Sequence, residues 1–221
     1  MSKIIFYVKA VIFDMDGVVT NTMPDHYYAW VTILKEEGVP VTHHDIYSRE
    51  GQQGLQSVKE LFAKYKKPFD QKNALRILHR KEEYFKGIVK RRFIVGTRTL
   101  LRKLKRDRFR LGLVTGTSRH EVHRILPRNI SNLFSVIITG NDVLHGKPHP
   151  EPYLKCLKQL KIKPEEALVI ENAPFGISSA KRAGVKTVAV ETSLSKEYLK
   201  DADYIFPSIK IMQGNVIFKK R

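Results

Sequence analysis

The chain has 221 residues, 42% of them hydrophobic and 28% charged, which is enough apolar material for a packed core and rules out whole-chain disorder. A single cysteine, Cys156, excludes an intrachain disulfide and a cysteine-built zinc cage, and no apolar run approaches the roughly 20 residues of a membrane span. With 40 Lys and Arg against 22 Asp and Glu, the formal charge of +18 attracts anions of any kind, from nucleic acid to phosphorylated metabolites.

The apolar residues Ile4 to Val8 imitate a short secretion signal, but Lys9, Asp14 and Asp16 break the pattern and no small-residue cleavage site follows. With the cysteine usage, this makes a cytoplasmic enzyme the expected class. Val8 to Phe13 is apolar and β-branched, and reads as a buried strand ending at Asp14. Leu111–Thr115, Phe134–Thr139, Ala167–Ile170 and Val185–Val190 read the same way. Helix-sized segments lie between them: Ser118–Leu126, Pro152–Leu160 with Leu154, Leu157 and Leu160 on one face, and Phe175–Ala183 before the stop signal Gly184. Strands alternating with helices predict an α/β fold with a Rossmann-like, doubly wound parallel sheet.

One interval is too long for that pattern. A strand–helix–strand unit takes about 30 residues, yet Asp14 and Leu111 are nearly a hundred apart. The surplus holds helix patterns at His26–Glu37, Leu55–Lys66 and Gln71–Val89, with His43-His44 starting another, and no convincing strand. It reads as an inserted all-helical cap domain over 21–94, with 1–20 and 95–221 forming the catalytic core and Thr97–Lys105 as the crossover helix.

The chemistry sits at predicted strand ends. Asp14 and Asp16 are two apart in an extended segment, so their carboxylates can face one site. Carboxyl ends of parallel strands are where open α/β sheets bind ligands. Thr115-Gly116, Gly146-Lys147-Pro148 and Glu171-Asn172 follow in order at other strand ends and loops. Taken alone, each is ordinary turn or cap chemistry; taken together, they offer carboxylates for a hard cation, a hydroxyl and N–H groups for phosphate oxygens, and an ammonium.

This order of Asp14-Met15-Asp16-Gly17, Thr115, Lys147-Pro148 and Glu171-Asn172 resembles the four motifs of the haloacid dehalogenase superfamily of phosphohydrolases, in particular its sugar-phosphate phosphatases and β-phosphoglucomutases with a helical cap. The likeness runs from about Lys9 to Pro207. It implies a phosphatase acting on a small phosphorylated metabolite, with Asp14 as nucleophile forming an aspartyl-phosphate and Asp16 as general acid, then general base. It further implies that Thr115 and the N–H of Gly116 hold phosphate oxygens and that Lys147 offsets charge. Mg²⁺ would be held by Asp14, the Asp16 carbonyl and the pair Glu171 and Asn172. The family often has Glu-Asp where this chain has Glu171-Asn172; the amide brings no charge, which implies weaker metal affinity and leaves open which residue touches the ion.

The loop Arg49-Glu50-Gly51-Gln52-Gln53-Gly54 is the candidate for substrate recognition, through Arg49, Gln52 and Gln53. His26, at the hinge of core and cap, matches a histidine of the mutase-like proteins and is a further candidate. His120 and His123 read as helix surface, Cys156 as core and Trp30 as cap packing. Two alternatives stand beside the phosphatase: a phosphosugar mutase like the β-phosphoglucomutases, in which an arginine past the cap-loop glycine clamps a second phosphate, and a non-catalytic nucleic-acid binder on the same fold. The basic runs at 90–92, 102–110 and 219–221 are read as solvated faces, so nucleic acid is an unlikely partner; a monomer without membrane contact is expected.

Overall fold

The computed structural model describes residues 3–221. The chain opens with β1 (Ile4–Tyr7) and β2 (Ala10–Phe13). The helices α1 (Met23–Glu36), α2 (His43–Tyr47), α3 (Gly54–Lys64) and α4 (Gln71–Ile88) follow. After them come α5 (Thr97–Arg106), β3 (Arg110–Val114), α6 (Arg119–Ile125), α7 (Arg128–Ser131) and β4 (Val136–Ile138). The last elements are α8 (Glu151–Leu160), β5 (Ala167–Glu171), α9 (Pro174–Arg182), β6 (Lys186–Val190), β7 (Tyr204–Phe206), α10 (Ile209–Asn215) and β8 (Val216–Lys219).

Six strands make one parallel sheet in the order β4-β3-β2-β5-β6-β7. Strand periodicity divides β2 between two apolar layers. Val11 and Phe13 pack on one face with Leu100, Leu104, Val122 and Met212, while Ala10 and Ile12 pack on the other with Tyr153, Leu157 and Ala180. Burial on both faces explains the uninterrupted hydrophobic runs. β2 lies between β3 and β5, so the chain leaves it in one direction and returns on its other side. That reversal is the switch point, and Asp14, Thr115 and Asn172 all directly follow strands that meet there.

Three sequence expectations are corrected. The strand predicted over Val8–Phe13 is shorter, Ala10–Phe13, and the residues before it form an unforeseen strand, β1, which pairs with the C-terminal β8 in a separate two-stranded sheet, with Val8 and Lys9 making the step between the two. The elements from β7 onward were not foreseen as strands or helix. On α8 the buried face is Tyr153, Cys156, Leu157 and Leu160, whereas Leu154 is 45% exposed. A spacing of three drifts off a 3.6-residue period, which the Leu154-Leu157-Leu160 pattern overlooked.

The four helices between β2 and α5 have their own apolar cluster, with Leu34, Val58, Leu61 and Ile77 at its centre. They are not wholly separate from the sheet. Ala29 and Phe85 pack into the core cluster, and Leu194 packs into the helical one. The two connecting segments run side by side: Asn21 N donates to Arg92 O at 2.9 Å and Ile94 N to Val19 O at 3.2 Å. Arg92 also pairs with Asp25 at 2.7 Å, and Arg91 donates to Arg124 O, so the basic run at 90–92 stitches the hinge while staying open to solvent. Among the described residues, no helix is long and apolar enough to cross a membrane.

Candidate active site

The predicted constellation assembles at the carboxyl ends of β2, β3 and β5. Asp14 follows β2 and is held by Asp14 N donating to Ile170 O at 3.0 Å. Lys147 arrives from the loop before α8, and its Nζ donates to Asp14 Oδ1 at 2.5 Å and to Glu171 Oε1 at 2.6 Å. All three residues are buried. Burial lifts the Asp14 carboxyl well above the usual carboxylate range; Lys147 opposes the rise, while Glu171 and Asp16 add to it. Burial works against the Lys147 ammonium, but Asp14 and Glu171 outweigh it and hold its pKa up.

Asp16 is buried yet surrounded by donors. Thr22 donates to Oδ1, and Thr117 and Thr115 donate to Oδ2 at 2.8 and 3.3 Å. His26 Nε2 stands 3.5 Å from Oδ1, longer than a full hydrogen bond. Burial alone would raise this carboxyl, but His26, Thr22 and Thr117 bring it down to about 2. Two carboxylates two residues apart are thus driven in opposite directions.

Glu171 is fully engaged. Oε1 accepts from Lys147 and from Tyr153 OH at 2.9 Å, and Oε2 accepts from the backbone N–H of Asn172 at 2.8 Å and of Ala173 at 3.2 Å. Three other buried oxygens in this corner have no hydrogen-bond partner: Asp14 Oδ2, Asn172 Oδ1 and Glu50 Oε2. An all-oxygen donor set with anionic members fits a hard divalent cation such as Mg²⁺. When bound, such an ion would neutralise charge on both carboxylate and phosphoryl oxygens.

A cavity of about 230 Å³ lies between helices and sheet, lined by Asp16, His26, Trp30, Arg49, Lys81 and Thr117 among others. Asp14 does not line it; it lies beneath, 2% exposed. The cap loop closes tightly here. A Cβ on Gly116 would lie 2.5 Å from Gly51 O, and one on Gly51, at φ +79°, would lie 2.7 Å from Lys147 Cδ. Both glycines are needed for this approach.

The loop candidates fare differently. Gln52 Nε2 donates to Glu60 at 3.0 Å while its Oε1 accepts from Ser57, and Gln53 Nε2 is 3.4 Å from Val143 O. Arg49 lines the cavity, but its NH1 donates to Asp45 O at 2.9 Å and its Nε pairs with Glu60 at 3.4 Å. All three line the cavity and also brace the loop. Trp30 is more than packing, since it lines the cavity.

Four residues escaped the sequence reading. Lys81 looked like one of a charged run, yet it is 7% exposed and shares the inward face of α4 with Ile77 and Phe85; the four-residue spacing carried that signal. Glu50 was passed over beside the glutamines, and Thr22 and Thr117 have no motif spacing of their own. Outside this region, His145, His149 and Glu151 cluster, but the Glu151 carboxylate already accepts from Leu144 N and His145 N at 2.8 and 2.9 Å and braces the loop carrying Lys147.

Comparison with known proteins agrees with this geometry. The family model "Haloacid dehalogenase-like hydrolase" matches residues 11–190. A phosphorylated carbohydrates phosphatase of Thermotoga maritima is 31% identical over 81% of this chain and 83% of its own length. A pyrophosphatase of Oceanobacillus iheyensis is 30% identical over 92% of this chain and 94% of its own. The crystal structure of β-phosphoglucomutase from Clostridium difficile superposes with a TM-score of 0.81, at 27% identity, covering 91% of this chain and 92% of that one.

Proposed function

The chain belongs to the haloacid dehalogenase-like hydrolases, and on that premise we propose that it is a Mg²⁺-dependent phosphatase of a small phosphorylated metabolite, a sugar phosphate in the first instance. The observation that carries this reading is the environment of Asp14: a buried carboxylate at the switch point with one oxygen against Lys147 and the other free of any partner. The named activity of the Thermotoga maritima relative supports it.

The mechanism follows from the residues. An Asp14 oxygen attacks phosphorus, forming an acyl phosphate as the P–O bond to the leaving alcohol breaks. Asp16, two residues on, gives that alkoxide its proton. Its donor-rich setting favours the carboxylate, so protonation depends on the negative charge that the substrate brings. Water then attacks the phosphorus, Asp16 takes the water's proton, and inorganic phosphate leaves with Asp14 regenerated. Lys147 stabilises charge on Asp14 and the phosphoryl group, Thr115 and the N–H of Gly116 hold phosphoryl oxygens, and His26 steadies Asp16. Asp14, the Asp16 carbonyl and Asn172 would hold Mg²⁺. Because the cap loop seals Asp14 from the cavity, the four helices, with 21–94 as the moving unit, open to admit substrate and close to exclude water.

The test is a panel of phosphorylated metabolites, with inorganic pyrophosphate included, assayed for released phosphate with Mg²⁺ and with excess chelator. Release from one or more sugar phosphates, abolished by chelator, is expected. Undiminished release in chelator removes the metal from the reading, and hydrolysis of pyrophosphate alone removes the sugar.

A further inference from the structure

Glu50 sits in the cap loop, immediately before Gly51, yet its carboxylate is among the most enclosed in the protein at 5% residue exposure. Among the described residues no lysine or arginine forms an ion pair with it. Its Oε1 accepts from Asn172 Nδ2 at 2.7 Å, and its Oε2 has no partner. A buried carboxylate without a cation is costly. Asn172 Nδ2 spends its second hydrogen on Ser193 Oγ at 2.7 Å, which fixes the amide and leaves Oδ1 without a partner. Gly17 makes room for all three groups: a Cβ there would lie 2.1 Å from Asn172 Nδ2, 2.7 Å from Ser193 Oγ and 2.8 Å from Glu50 Oε1.

Glu171 has no oxygen to spare, because four donors already occupy its carboxylate. The unpartnered oxygens of this corner therefore come from β2, from the residue after β5 and from the cap: Asp14 Oδ2, Asn172 Oδ1 and Glu50 Oε2. We propose that Glu50 is a metal ligand carried by the cap, supplying the negative charge that Asn172 lacks, so that binding the divalent cation and closing the cap are one coupled event. The inference rests on the metal-dependent reading above. It also changes the meaning of Asn172. Asn172 is then not a weakened ligand but one half of a site whose second charge is carried by the cap. Linkage then makes the effect reciprocal: closure tightens the ion by the factor by which the ion favours closure.

A consequence reverses the expectation from sequence. Asn172→Asp adds a charge near the ion, but it also replaces the donor that faces Glu50 Oε1 with another carboxylate and drives the cap away. Combining it with Glu50→Gln restores both the hydrogen bond, now donated by the glutamine, and the total charge.

The experiment titrates Mg²⁺ by calorimetry into the full chain without substrate, for wild type, Glu50→Gln, Asn172→Asp and the double variant, each checked for an unchanged fold by circular dichroism. Small-angle scattering with and without Mg²⁺ follows closure. Glu50→Gln, which preserves shape, should weaken Mg²⁺ at least about tenfold, the lower edge of what even an outer-shell change costs a metal site. It should also lose the Mg²⁺-induced compaction. The double variant should regain most of the affinity that Glu50→Gln loses. Equal Mg²⁺ affinity and compaction in wild type and Glu50→Gln, with turnover still dependent on Mg²⁺, overturns this inference and leaves the proposed function standing. Absence of Mg²⁺ binding in wild type, with turnover in chelator, overturns both.

Discussion

Lys81 Nζ stands 3.0 Å from His26 Nδ1, and the imidazole is stacked at 3.9 Å on Phe85, one turn along from Lys81 on the same helix. A cation from the cap is thereby placed one imidazole away from Asp16. Burial lowers the Lys81 pKa, with Glu121 opposing that shift. Among the residues lining the cavity, it is the ammonium best placed to meet an anionic substrate.

Replacing Lys81 with methionine keeps the stem and removes the charge. A hydrogen bond to a charged group is worth about 1.5–3 kcal/mol, so kcat/KM should fall about 10- to 100-fold, mostly through KM. Steady-state kinetics on the best substrate measure this. An unchanged KM would make Lys81 a structural brace for His26 alone.

Asp14→Asn should abolish turnover while leaving the melting temperature near that of the wild type, because the amide cannot attack phosphorus but keeps the shape of a buried carboxylate. Asp16→Asn should lose most of kcat and still bind substrate. After rapid acid quench, labelled phosphate should be found on the wild-type protein and be absent from Asp14→Asn. Label retained on Asp14→Asn would place the nucleophile elsewhere.

The sheet, its central position for Asp14 and the gathering of Asp14, Asp16, Thr115 and Lys147 were legible because they depend on local pattern: buried parallel strands are continuous apolar runs, and the motifs sit at their ends. Lys147, Asp14 and Glu171 meet within 2.6 Å although 133 and 24 residues separate the pairs. What was not legible depends on tertiary partners. Ile4–Tyr7 is a strand only because Val216–Lys219 lies beside it. Arg49 reads as a candidate for substrate recognition, and only the fold shows Glu60 and Asp45 holding it. Glu50 has no spacing to mark it; its meaning comes from Asn172, 122 residues away.

Gly116→Ala tests the cap seal. The added methyl would meet backbone rather than a flexible side chain, since Gly51 O lies 2.5 Å from the Cβ position. The cap loop must withdraw, so kcat should fall at least about tenfold with little change in the stability of the sheet. Wild-type kcat would show that closure tolerates a wider gap than this structure has.

Asp45 braces the cap and gives it an acid limit. Its carboxylate caps α2 through Thr42 and accepts from Tyr65 OH at 2.7 Å and from Lys64. Burial works against the charge, but these donors hold the carboxyl below the ordinary range. A depressed folded-state value stabilises the fold above the unfolded value of about 3.9, and that contribution fades as pH falls below it. Asp45→Asn should cost about 1–2 kcal/mol near neutrality and flatten the loss of stability between about pH 4 and pH 2. Denaturant midpoints across that range test it; parallel acid profiles would assign the acid sensitivity elsewhere.

The last prediction separates hydrolysis from isomerisation. A mutase must hold a sugar with two phosphates, one at Asp14 and one clamped by a cation at the cap loop. Past Gly51 this chain has Gln52 and Gln53, which can hydrogen-bond a phosphate but cannot neutralise it. Gln52 is already tied to Glu60 and Ser57. Arg49 precedes the glycine and is tied to Glu60 and Asp45, so recruiting it would break both contacts. Lys81 lies at the His26 end of the cavity, beside the reacting group rather than at the far clamp. A second phosphate would therefore be enclosed without a free counter-charge, at a cost of several kcal/mol. Water should take the phosphoryl group from Asp14 more readily than a second sugar phosphate does. Given β-glucose 1-phosphate, Mg²⁺ and a trace of the bisphosphate, the enzyme should accumulate inorganic phosphate without stoichiometric glucose 6-phosphate. Rapid isomerisation with little phosphate released would establish the mutase instead, and would require Arg49 to leave Glu60 during turnover.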